Sequence, residues 1–102
     1  MNKLGELAQA LGQLEEAKSA YAQGEVLAHG LIDAYGETVL ALETLAGNTL
    51  GLGQVLEQLG DTPASQPRLS KARLLYQRLA LAMPHELRYR QALAELGDAP
   101  TV

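Results

Sequence analysis

His29 and Asp33 stand four residues apart in a segment whose apolar spacing predicts a helix, so both would lie on one helix face. An imidazole beside a carboxylate can act as a base with its orienter, or as two ligands of a metal ion. The remaining material for such chemistry is thin. The chain holds two histidines, His29 and His85, and no cysteine, which excludes disulfides, thiolate nucleophiles and cysteine-based metal centres. Glu15 and Glu16 form the other pair of titratable neighbours, but acids at the start of a helix already have a use against the helix dipole. No HExxH, phosphate-binding loop or glycine-rich dinucleotide fingerprint occurs. His29 and Asp33 therefore read as a solvated polar pair near a helix end, and His85, after Pro84, as a first-turn residue. The sequence assigns no catalytic residue, metal site or cofactor and predicts a protein that is not an enzyme.

The elements that would carry these residues are all helical. With 47% hydrophobic residues, 4% aromatic, and neither Phe nor Trp, leucine and alanine must fill the core, and these lose little freedom in a helix. Periodicity predicts helices over about 1–11, 14–33, 37–59, 69–83 and 85–96. Gly12, Gly60 with Pro63, Pro84 and Gly97 act as stops. In the second helix the expected inner face runs through Leu14, Ala17, Ala20 or Tyr21, Val26 or Leu27, Ala28 and Leu31. In the third, Leu40, Leu45, Leu52, Val55, Leu56 and Leu59 are available to the core, and Gly47-Asn48 is a point where the helix could break. Leu69, Ala72, Leu75, Tyr76, Leu79 and Met83 line the fourth; Tyr89, Ala92, Leu93 and Leu96 the fifth. Pro63 to Pro67 reads as the one extended loop. Gly24 and Gly30, inside a helix, imply close packing against a neighbour, because each weakens an isolated helix by about 1 kcal/mol.

An internal repeat organises these helices. Leu4-Gly5 precedes Leu11-Gly12, and Leu52-Gly53 precedes Leu59-Gly60, the pairs standing seven residues apart in both copies with an offset of 48. Ala17 to Tyr21 and Ala72 to Tyr76 repeat downstream. This pattern resembles the tetratricopeptide repeat, in which a large residue and a Leu-Gly step mark the first helix, and Ala, an aromatic and Pro mark the second. Met1, Leu4-Gly5, Ala8, Leu11-Gly12, Ala17, Tyr21 and His29 occupy those positions in the first copy, and Thr49, Leu52-Gly53, Leu56, Leu59-Gly60, Ala72, Tyr76 and Pro84 in the second. The offset exceeds the repeat's usual length of about 34 residues, and seven extra residues around Pro63-Ala64-Ser65-Gln66-Pro67 lengthen one turn. The resemblance implies an all-α, right-handed stack of antiparallel helical hairpins, an α-solenoid of about five helices in one domain over 1–102. Its hairpins would span about 1–33 and 37–83, with a partial third repeat at 85–97. It implies a protein-interaction scaffold whose first helices line a groove at Glu6, Gln9, Gln54, Glu57, Gln58, Gln91 and Glu95. Such a lining, neutral to acidic, suits a basic or amide-rich peptide or helix.

Charge divides the chain. Residues 1–61 carry a net −7 and residues 62–102 a net +3. Arg68, Arg73, Arg78, Arg88 and Arg90 are therefore candidates for head-to-tail self-association with the acidic half of another copy, a contact weakened by salt. A sequence pI near 5.0 argues against nucleic acid. The absence of a secretion-like leader and of an obvious apolar span predicts a cytoplasmic protein without a membrane partner. The chain is expected to be either a piece of a longer array or a protein that covers its open ends by self-association. The competing readings are a regulatory domain holding a small ligand between glycine-containing helices, and a plain helical bundle.

Overall fold

The computed structural model describes Glu6 and residues 12–97. These form four α-helices and no strand: α1 Leu14–Tyr35, α2 Val39–Gln58, α3 Thr62–Ala82 and α4 Leu87–Glu95. The expected first helix, over 1–11, lies outside the described residues apart from Glu6. Each helix packs its backbone on the next in sequence; among the described residues the other pairs of helices meet through side chains alone.

The turns are short. After α2, Gly60 has a φ of 83°, its N–H donates to Glu57 O, and Asp61 N–H donates to Leu56 O at 2.9 Å. This closes the helix in the paired-bond motif that a left-handed glycine permits. Asp61 then caps α3, accepting from Ala64 N at 3.3 Å, as Thr38 caps α2 by accepting from Ala41 N at 3.1 Å.

The expected loop over Pro63–Pro67 is instead the start of α3. Pro63 falls in the first turn, where a missing N–H costs nothing, and Pro67 removes a single ladder bond. The seven extra residues thus lengthen a helix rather than a turn. Nor does α2 break at Gly47-Asn48. Asn48 is held there by donating Nδ2 to Thr44 O at 2.8 Å.

The core is one chain of clusters. Ala28 meets Leu42, Leu45, Ala46, Leu75, Leu79 and Tyr89 at its centre. Ala17 and Tyr21 pack on Leu52, Val55 and Leu56 at one flank, and Leu50, Ala72 and Ala92 join at the other. Glycines set the spacing: a Cβ at Gly51 would stand inside the Tyr21 ring, and one at Gly53 would fall 2.7 Å from Leu69 Cδ2. Several residues expected inside are outside. Val26 and Leu27 are exposed, and Glu25 is buried in their place. Leu40 and Leu59 also face solvent, because α2 is covered along the stripe through Leu42, Leu45 and Leu52 and they lie beyond it, and Met83, just past the end of α3, is exposed as well. By length and composition α2 could cross a bilayer, contrary to the expectation that no segment could, but 67% of that stretch is buried against its neighbours.

Candidate interaction surface

Along α2, Leu40, Glu43, Thr44 and Gly47 line one cavity, of about 290 Å³. Leu50, Gln54 and Glu57 line a second, of about 280 Å³. These seven residues form one helical stripe at steps of three and four, and the two cavities follow one another along it as a trough in two parts, sharing no lining residue and divided where Leu50, Ala72 and Ala92 pack together. Its opposite wall is α4, through Arg88 and Tyr89 and then Glu95 and Leu96. Its floor is α3, through Gln66, Leu69, Ser70, Arg73 and Tyr76. From Leu40 to Glu57 the stripe rises about 26 Å, at about 1.5 Å per residue.

Of the seven residues expected in a groove, Gln54, Glu57 and Glu95 line this trough together. Gln58 and Gln91 are exposed near its rim without lining either cavity, Glu6 is exposed, and Gln9 lies outside the described residues. The lining carries three carboxylates, Glu43, Glu57 and Glu95, against two guanidiniums, Arg73 and Arg88. Burial, with the carboxylates of Glu43, Glu95 and Glu6 adding to it against Arg88, pushes the Tyr76 hydroxyl up to about 12. Tyr89 is likewise pushed up to about 12, first by burial and then by the bond it donates to Glu43 Oε1 at 2.7 Å. Arg88 lies 5.8 Å over the Tyr89 ring and donates to Glu43 at 2.8 Å and to Glu86 at 3.0 Å. Arg73 donates Nη2 to Leu96 O at 3.0 Å, while its buried Nε has no partner in the structure.

The five arginines expected at a self-association surface are engaged within the chain. Arg68 binds Glu25, Arg78 binds Glu37 and Arg88 binds Glu43, so arginines of the basic half meet acids of the acidic half in one molecule. Arg73 and Arg90 bind backbone carbonyls of Leu96 and Pro84. Arg78 holds the Glu37 carboxyl below the usual carboxylate range. Arg68 completes a three-helix junction: its Nη1 donates to both Glu25 oxygens at 2.6 and 2.8 Å, and Thr49 donates to Glu25 Oε2 at 2.7 Å. Periodicity gave no sign of this junction, because a lone glutamate on a helix reads as surface. His29 and Asp33 are exposed, and no group of three metal-ligating side chains occurs among the described residues. No family model, curated protein or solved structure matches this chain.

Proposed function

We propose that this chain is a non-catalytic interaction module that holds a basic or amide-rich segment of a partner protein in the trough between α2 and α4. In this reading the helices continue a right-handed stack of tetratricopeptide-like hairpins, about five helices in all, working in the cytoplasm. One observation carries it: Gln54 and Glu57 of α2 and Glu95 of α4 line one cavity over a floor of α3. From Leu50 to Glu57 this cavity runs about 10 Å along α2, enough for about three residues of extended peptide at about 3.3 Å each. Leu50, Leu69 and Leu96 offer apolar footing for the aliphatic stem of a lysine or arginine whose charged head reaches the carboxylates.

The test is calorimetric titration with an array of eight-residue peptides, basic against acidic at matched hydrophobicity. Basic peptides should bind, more weakly at high salt, and Glu57→Gln with Glu95→Gln should weaken them about ten-fold, or roughly 1.4 kcal/mol. Equal affinity for acidic peptides, or no binding by any basic or amide-rich sequence, would sink the reading.

A further inference from the structure

We infer that two copies of this chain join head to tail through apolar surfaces, the outer stripe of α3 of one copy lying in the groove that α1 and α2 leave open on the other. The groove, of about 650 Å³, lies on the α1 side of α2 and meets the trough at Thr44, which lines both. On α1 it is lined by Gly24, Leu27, Leu31 and Ala34, one helical stripe, with Gly30 beside it and Thr44 and Asn48 of α2 opposite. A Cβ at Gly30 would meet nothing within 4 Å, so there is room for an incoming side chain at that point. Leu27 is 52% exposed and Tyr35 at the end of the groove 75%. A small molecule there would stay largely in water, whereas ligand sites enclose most of what they bind. A helix laid along the groove would cover both walls.

The chain itself carries two exposed leucines on one side of α3, with Arg78 between them drawn aside to Glu37. Leu74 and Leu81, two turns apart on α3, are 62% and 84% exposed. Their separation along the axis, about 10 Å, equals that between Leu27 and Ala34. Charge agrees with the match. Lys71 continues the α3 stripe, Asp33 stands beside the groove, and neither forms an ion pair among the described residues. Exposed pairs are weak, so this one orients the contact and the leucines hold it. A foreign partner would account for one of the two apolar surfaces; a second copy accounts for both. The contact is heterologous, so each added copy leaves a fresh groove and a fresh ridge.

Light scattering across protein concentration tests it with Leu27→Glu, which spoils the groove, and Leu81→Glu, which spoils the ridge; circular dichroism confirms that both remain helical. The wild-type mass should rise with concentration beyond a dimer and stay raised at high salt. Each variant alone should be a monomer. An equimolar mixture should reach a dimer and stop, because one intact ridge then meets one intact groove. A wild type that stays monomeric, assembly that dissolves at high salt, a single variant that still assembles, or a mixture that remains monomeric overturns the inference. Peptide titration of the double variant keeps the trough intact, so the two readings fail separately.

Discussion

Glu25 shows how one side chain can fix three helices. It is 7% exposed, and its two oxygens are taken by Thr49 from α2 and Arg68 from α3. Truncating one partner of a buried pair costs about 3–5 kcal/mol because the other charge is left without its counterpart. Arg68 keeps 39% of its side chain in solvent and can recover hydration. Glu25→Ala should therefore cost about 2–3 kcal/mol in urea unfolding, and a loss under about 0.5 kcal/mol, typical of surface changes, would mean the junction is ornamental. Tyr89 sets a different condition, on pH. Its hydroxyl and that of Tyr76 are each pushed up to about 12 in the fold, against about 10 in an unfolded chain. Between those values the unfolded state has lost the protons and the folded state keeps them, so stability falls as pH rises from about 10 to 12 and is intact below. Tyr89→Phe should lower stability by about 1–2 kcal/mol at neutral pH through the lost bond to Glu43 and should flatten the alkaline fall. An unchanged alkaline slope in thermal melts would refute the assignment to Tyr89.

At the scale of the element, the glycines divide into those that permit packing and those that do not take part in it. Gly51 lies under the Tyr21 ring, whereas Gly30 borders open space. Both sit inside helices, where alanine is intrinsically better by about 1 kcal/mol. Gly30→Ala should accordingly stabilise by about 0.5–1 kcal/mol, while Gly51→Ala should destabilise by more than about 1 kcal/mol as α1 is forced off α2. Matching effects at the two positions, read from denaturant midpoints, would refute the distinction. Much of this layer was legible in the sequence. The stops at Gly60 and Gly97, the buried Ala17, Ala72 and Tyr21, and the extent of α1 follow from periodicity and turn chemistry. The start of α3 did not, since proline was read as a loop signal when its position relative to the Asp61 cap decides its cost. The placement of Glu25 inside and Leu27 outside also escaped, because both lie near the edge of the same apolar face and only the approach of α3 selects between them. For the trough, Gln54, Glu57 and Glu95 were legible as one set, but its floor of Leu69, Arg73 and Tyr76 belongs to a helix whose orientation the pattern alone does not give.

For the molecule as a whole, the decisive property is that each helix leans on its neighbours in sequence. A helix packed on one side only makes fewer buried contacts than one packed on both, so it opens locally at lower free energy. The short α4, nine residues with α3 as its one close backbone neighbour in the described chain, is below the length at which an isolated helix holds in water. It stays folded through Tyr89 and Ala92, which join the clusters of α2 and α3. Native-state hydrogen exchange should then show amides of α4 opening at a free energy well below those of α2, the helix buried from both sides. A single opening free energy common to all four helices would instead describe a globule that unfolds as one unit. The same measurement bears on the trough. A basic peptide that touches both walls adds its binding energy to the α2–α4 separation, so it should slow exchange in α4 far more than in α1. Protection confined to α1 would place the peptide in the apolar groove and not between the walls.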